Sequence, residues 1–186
     1  MLTFTQFLEL TEAQQRTSAK TSLNQVSAGI KKLSSNGTFK PEHTIVDVGG
    51  GKYDKGSEHI KHATGATSHV YDPYNRSKEH NAKVEADHTG KADHVMSHNV
   101  GNVIEHDSDL HDHLKKAKSF MKPNHGQFHM SVYEGDGKGA GRATQNDESF
   151  QRHAKLKEYV SHVKHVFPES HYKVHVAAGM IHATPN

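Results

Sequence analysis

The sequence predicts an α/β fold, with a parallel sheet and helices on both of its faces. Three observations predict it. From residue 44 onward, short apolar runs alternate with helical patterns, and that alternation builds parallel strands through crossover helices. The first run, "TIVDV" at 44–48, leads directly into three glycines, Gly49, Gly50 and Gly51. The strongest strand pattern, "GQFHMSVYE" with Phe128, Met130 and Val132 alternating, lies between two amphipathic helix patterns.

The elements follow in order. Residues 1–37 read as a helical extension, a lid or partner surface, ahead of a domain over 38–186. Phe4, Phe7, Leu8 and Thr11 fall at helical spacing, as do Leu23, Val26, Ile30 and Leu33, and "SSNG" ends the pattern at Gly37. After "TIVDV" come a polar helix in "DKGSEHIKHA", a strand in "SHVYD", a short helix in "NRSKEHNA", a weak strand in "KVEAD" and a strand in "ADHVMS". Leu110, Leu114, Ala117 and Phe120 form one helical face. A glycine-rich loop follows the "GQFHMSVYE" strand. A second helix is expected to carry Phe150, Leu156, Tyr159, Val160, Val163 and Phe167. The last residues, "HYKVHVAAGMIHATPN", fold as a hairpin turning at Ala178-Gly179, which adds an antiparallel strand.

Composition bounds the partners. With 23 Lys+Arg against 21 Asp+Glu, the net charge of +2 does not indicate nucleic acid, although a local basic patch would permit it. Cysteine is absent, which removes disulfide and thiolate chemistry. No run reaches membrane-spanning length, the first residues lack a signal-peptide pattern, and a cytoplasmic location is expected. The 19 histidines are unusual. They predict a loss of stability or a change in solubility in mild acid.

The glycines carry the first functional argument. In an open parallel sheet, ligands bind beyond the carboxyl ends of the strands, and glycine there admits close backbone approach. Gly49 and Gly51 give G-x-G, but the third glycine of the dinucleotide fingerprint is replaced by Asp54. A carboxylate at that helix N-terminus disfavours a pyrophosphate. A ligand with a positive centre and no phosphate fits better, and S-adenosylmethionine is such a ligand. Asp47 would complement its cationic half. Asp72, 23 residues after Gly49, stands where an acid accepts both ribose hydroxyls. Asp87 in "VEADHTG" would lie near the adenine, and "ADHVMSHNVGNVI" would close the pocket.

Together, "VDVGGG", "YDPYN", "ADHVMSHNVGNVI" and "FHMSVYEGDGKGAGRATQN" resemble a class I S-adenosylmethionine-dependent methyltransferase, and in particular small domains of this class common in phage genomes. The resemblance spans about residues 40–183. It implies a Rossmann-like, doubly wound, mostly parallel seven-stranded sheet with an antiparallel last strand. It assigns Asp47, Gly49, Gly50 and Gly51 to the first cofactor motif, Asp72 to the ribose, Asp87 to the adenine side, and Ser97 to Val100, with Asn99, to the segment beside the transferred methyl. The sequence departs from the pattern at Gly101, where related sequences usually carry leucine.

Methyl transfer depends mainly on positioning. His98, Asn99 and Tyr133 are the catalytic candidates. The loop suits a lid or substrate clamp, in which Tyr133, Glu134, Arg142, Thr144 and Gln145 would face the methyl-donor side, Glu134 and Arg142 would bind substrate, and Arg142 suits an anionic group. The acceptor class stays open between small molecule, nucleotide and nucleic acid. So do a non-catalytic cofactor-binding or structural role and cleavage of the cofactor. Two motifs mislead. "DPYN" at 72–75 resembles the Asp-Pro-Pro-Tyr box of amino-group DNA methyltransferases but follows the wrong strand. "HDSDLHDH" at 106–113 places His106, Asp109 and His113 at metal-like spacing, yet reads better as an acid-rich, solvated helix start, so no metal is expected.

Overall fold

A computed structural model describes residues 24–143 and 149–186. The helix expected over Phe4, Phe7, Leu8 and Thr11, together with Leu23, Thr144 and Gln145, lies outside the described residues. The element order is α1 (Ala28–Ser35), β1 (Thr44–Val48), α2 (Lys55–Thr64), β2 (Thr67–Tyr71), α3 (Lys78–His88), β3 (His94–His98), α4 (Asp107–Phe120), β4 (Gln127–Ser131), β5 (Arg142–Ala143), β6 (Phe150–Gln151), α5 (Val160–Val166), β7 (Tyr172–Ala177) and β8 (Met180–Pro185). Short 3-10 turns cover Gly101–Val103 and Leu156–Tyr159.

Six strands form the main sheet in the order β2-β1-β3-β4-β8-β7. β1 to β4 are mutually parallel, and β8 runs antiparallel to both β4 and β7. The antiparallel last strand is therefore present, and among the described residues the main sheet has six strands where seven were expected. The missing one is "KVEAD". Those residues complete α3, because Ser77 caps the helix by accepting the His80 N–H, and Asn81 and Val84 then face inward three residues apart. With only Val84 and Ala86 apolar in its second half, and those two apart, α3 gives almost no helical periodic signal.

Two cores sandwich the sheet. Leu110, Leu114, Ala117 and Phe120 of α4, with Val163 and Val166 of α5, bury one face against Val46, Val95, Phe128 and Ile181. Ile30, Leu33 and Ile60 from α1 and α2 pack on Ile45, Met96 and Met180 of the other. The hairpin turn has φ of +58° at Ala178 and +77° at Gly179, the left-handed pair that a two-residue connection requires. The second helix starts later than expected. Phe150 lies in β6, paired with β5, and the helical path begins at Leu156. Arg152 fixes the intervening chain by donating to the Ile104 and Glu105 carbonyls and to the Asp107 carboxylate. Among the described residues, no helix is long and apolar enough to cross a membrane.

Candidate functional site

The carboxyl ends of β1, β2 and β3 converge on one side of the sheet. Gly49 leaves β1 at φ +84° and Gly51 follows at +80°, both left-handed. The Gly49 N–H donates to the Tyr71 carbonyl at 2.7 Å, tying this turn to the end of β2. A Cβ on Gly49 would run into Val100, and one on Gly50 would stand 2.7 Å from the Asp47 carboxylate. The glycines thus let three strand ends close up around two cavities.

The first cavity, about 130 Å³, is lined by Asp47, Gly49–Gly51, Asn75, His98 and Asn99, with Gln25, Ser27 and Ile30 at the start of α1. Asp47 is only 7% exposed, and its carboxylate forms no hydrogen bond with any described residue. Burial, then the charge of Asp72, push its pKa up to about 7, with Arg76 opposing. His98 is 9% exposed. Its Nδ1 meets Ser131 Oγ at 2.8 Å, and its buried Nε2 has no hydrogen-bond partner among the described residues. Burial and the nearby His182 lower its pKa to about 4, so the ring is neutral near pH 7. Gly29 of α1 lies against that ring, where a Cβ would collide. Asn99 holds φ +59°, a left-handed conformation seldom adopted by a residue with a side chain, and stands exposed at the cavity lip.

The second cavity, about 280 Å³, is lined by Tyr71, Asp72, Pro73 and Tyr74 after β2, Val100, Val103 and Ile104 after β3, and Asp109, Asp112 and His113 of α4. Gly49 and Val100 line both cavities and form the ledge between them. Asp72 is held firmly. One carboxylate oxygen accepts the Gly51 N–H at 2.8 Å and the Asn75 side-chain amide at 3.1 Å, and the other accepts the Tyr74 and Asn75 N–H groups at 3.0 Å. Its own N–H and C=O pair reciprocally with the buried Asn81 amide, each at 2.9 Å. Arg76 reaches back to the Gly51 carbonyl and to Asp54, so the residue that departs from the dinucleotide motif serves as an ion-pair partner of the loop.

Of the sequence-predicted site residues, Asp47, Gly49, Gly50, Gly51, Asp72, His98 and Asn99 meet around these cavities. Ser97 lies beneath them, fully buried, with its Oγ 2.7 Å from His113 Nε2. Asp87 does not join. It sits near the end of α3, pairs with Lys83 at 2.8 Å and borders neither cavity, because the expected strand is helical there. Tyr133, Glu134 and Arg142 also stand away from both cavities. Tyr133 is exposed, Glu134 accepts the Leu156 N–H at 2.7 Å, and Arg142 pairs with Asp136. Gly101 is a packing requirement, since a Cβ there would run into Met130.

Sequence reasoning missed Asn75, Arg76, Asn81 and His113. His113 stood in the metal-like cluster, but its adjacency to Leu114 on the buried face of α4 was the available signal. Its ring is half-buried, and the loss of hydration lowers its pKa to about 4, with Asp72 opposing that shift. Among the described residues, no group of three His, Asp or Glu is placed to hold a metal.

No family model matches this sequence, and no curated protein matches it by sequence. Solved structures do. The 1,6-didemethyltoxoflavin-N1-methyltransferase of Burkholderia thailandensis, with bound 1,6-didemethyltoxoflavin and S-adenosylhomocysteine, superposes with a TM-score of 0.65 over 100% of this chain and 92% of its own, at 14% identity. A putative S-adenosyl-L-methionine-dependent methyltransferase from Methanococcus maripaludis gives 0.53, covering 84% and 83%, at 13% identity. This chain has the methyltransferase fold. A Rhodobacter sphaeroides protein described as a putative zinc-dependent alcohol dehydrogenase also aligns, at TM-score 0.56, 12% identity and coverage of 88% and 92%. The likeness therefore concerns architecture, and function rests on the site.

Proposed function

We propose that this chain binds S-adenosylmethionine and transfers its methyl group to an acceptor. The observation that carries this reading is the Asp47 carboxylate, which is buried, without a hydrogen bond among the described residues, and turned to a cavity floored by glycines. A buried carboxylate in that state is costly, and a bound ammonium group would offset the cost. The methionine half of the cofactor brings such a group. The adenosyl half fits the second cavity, where Asp72 faces the ribose and Tyr74 and Val100 offer apolar surface. When bound, the cofactor supplies an electrophilic methyl on a sulfonium. The protein's part is to hold the two halves across the Gly49–Val100 ledge and to present Asn99 at the lip. There an amide can orient an acceptor.

One observation favours the alternative of a non-catalytic fold. All four acceptor positions of Asp72 are already used within the loops, so ribose hydroxyls must displace at least one of those bonds. Titration calorimetry with S-adenosylmethionine and S-adenosylhomocysteine, with NAD as control, tests the proposal. Micromolar binding of the first two, weakened at least tenfold in Asp47→Asn and absent for NAD, is the expected result. No heat from the wild type with either ligand overturns it.

A further inference from the structure

A row of imidazoles crosses the sheet on its α1–α2 face, outside both cavities. His43 Nδ1 lies 3.0 Å from His94 Nε2, and His94 Nδ1 lies 3.0 Å from His129 Nε2. His129 Nδ1 lies 2.8 Å from His182 Nδ1, and His182 Nε2 lies 3.1 Å from the Ala177 carbonyl in the β7–β8 hairpin. His129 and His182 are direct cross-strand partners, which is why the row is continuous.

Counting protons along the row constrains its state. Each of the four contacts needs one hydrogen. The Ala177 carbonyl only accepts, so His182 Nε2 carries a proton. In the neutral row, every other bond must then point the same way. His129 donates from Nδ1 to His182, His94 from Nδ1 to His129, and His43 from Nδ1 to His94. At the far end, however, the Lys40 N–H approaches His43 Nδ1 at 3.3 Å. That bond forms only when His43 Nδ1 is an acceptor, whose single lone pair the Lys40 N–H then shares with His94 Nε2–H in a three-centre bond. The row then reverses. His94 donates from Nε2 to His43, His129 from Nε2 to His94, and His182 from Nδ1 to His129 while keeping its Nε2 proton. The reversed row holds one proton more than the neutral one, and His182 carries it.

We infer that His43, His94, His129 and His182 form a one-proton relay, which gains a proton from solvent at His43 and displays the charge at the hairpin on His182. The gain forms an N–H bond on the solvent-side Nε2 of His43, each inner ring passes one proton to its neighbour, and no other group changes. The surroundings agree with the place of the charge. Burial and the surrounding imidazoles hold His129 well below the ordinary range, whereas at half-buried His182, which burial also lowers, the Ala177 carbonyl opposes the shift. The remaining groups facing the row are the Phe39 ring edge, the Asp93 carboxylate already bonded to Lys122 and the Thr44 N–H, His98, and His175 stacked on His182.

Imidazole 15N spectra of the intact, uniformly labelled protein between pH 7.5 and 5.5 test the relay. At pH 7.5, His94 and His129 are expected as Nδ1–H tautomers, the minor form of free histidine. Both should convert to Nε2–H at one shared midpoint, and His182 should become imidazolium at that same midpoint. Titration of His43 alone with the inner tautomers unchanged overturns the relay, as do Nε2–H tautomers at pH 7.5 beside a neutral His182. In His182→Ala, both inner rings should keep their tautomers down to pH 5.5, and a switch at the wild-type midpoint overturns the relay as well.

Discussion

Asp72 and Gly51 are joined by a hydrogen bond of 2.8 Å from the Gly51 N–H to a carboxylate oxygen, across 21 residues of chain. This bond locks the turn after β1 to the turn after β2, and the two turns build both cavities. Asp72→Ala would leave buried N–H groups without a partner. It is expected to lower stability by about 3 kcal/mol and to abolish ligand binding. Asp72→Asn keeps part of the acceptor set and should recover most of the stability but little of the binding. Urea denaturation alongside calorimetry separates the two effects. A fully stable Asp72→Ala protein would show that the carboxylate does not hold the loops.

Gly49→Ala tests the ledge between the cavities. The substitution forces a left-handed φ on a residue with a side chain and drives a methyl into Val100. The expected loss is about 1–3 kcal/mol, with no detectable cofactor binding. Unchanged affinity would mean that the ligand does not approach this backbone.

Most of the architecture was legible because its signals were strong. The strands β1 and β4 each carry an apolar face, Val46 with Val48 and Phe128 with Met130, and α4 repeats its leucines at helical spacing. Asp47, the glycines and Asp72 were legible because each stands at a strand exit. The failures came where polar residues carry structure. α3 is held by Ser77 and Asn81 and not by an apolar stripe, which turned half of it into a false strand and took Asp87 with it. In the Gly-rich loop, Glu134 accepts the Leu156 N–H and Arg142 pairs with Asp136. Single residue identities do not reveal such partners. The histidine row depends on register between β4 and β8, which no local pattern encodes.

Acid sensitivity follows from the buried histidines. Burial lowers His94, His98 and His113 to about 4 from an ordinary 6.5, and holds His129 well below that ordinary value. Between those values the unfolded chain binds more protons than the folded one, so stability is lost as pH falls from about 6.5 toward 4. Each such group contributes a slope approaching about 1.4 kcal/mol per pH unit. Asp47 works in the opposite sense. Its raised pKa makes its contribution full below 3.8 and lost as pH rises through about 7. Several histidines outweigh one acid, so melting temperature should rise from pH 5 to 6.5 and flatten above it. A flat profile from pH 5 would contradict the buried, neutral state of these rings.

Asp47 also predicts how binding responds to pH. A cation placed on its carboxylate would lower its pKa, so ligand binding below pH 7 releases a proton. Calorimetric heats at pH 6.5 should then differ between buffers of high and low ionisation enthalpy, and the difference should vanish in Asp47→Asn. Equal heats in both buffers would place the ligand's charge elsewhere.

Ala178 offers a test that leaves the site untouched. It occupies the first position of the β7–β8 turn at φ +58°, where a Cβ is strained, and glycine or asparagine is the usual occupant. Ala178→Gly and Ala178→Asn should each stabilise the protein by up to about 1 kcal/mol, seen as a higher urea midpoint at unchanged slope. Cofactor affinity should not move, because the hairpin lies outside both cavities. A destabilised asparagine variant would mean that the turn does not hold the left-handed pair, and the Ala177 carbonyl that anchors the histidine row would then lose its fixed position.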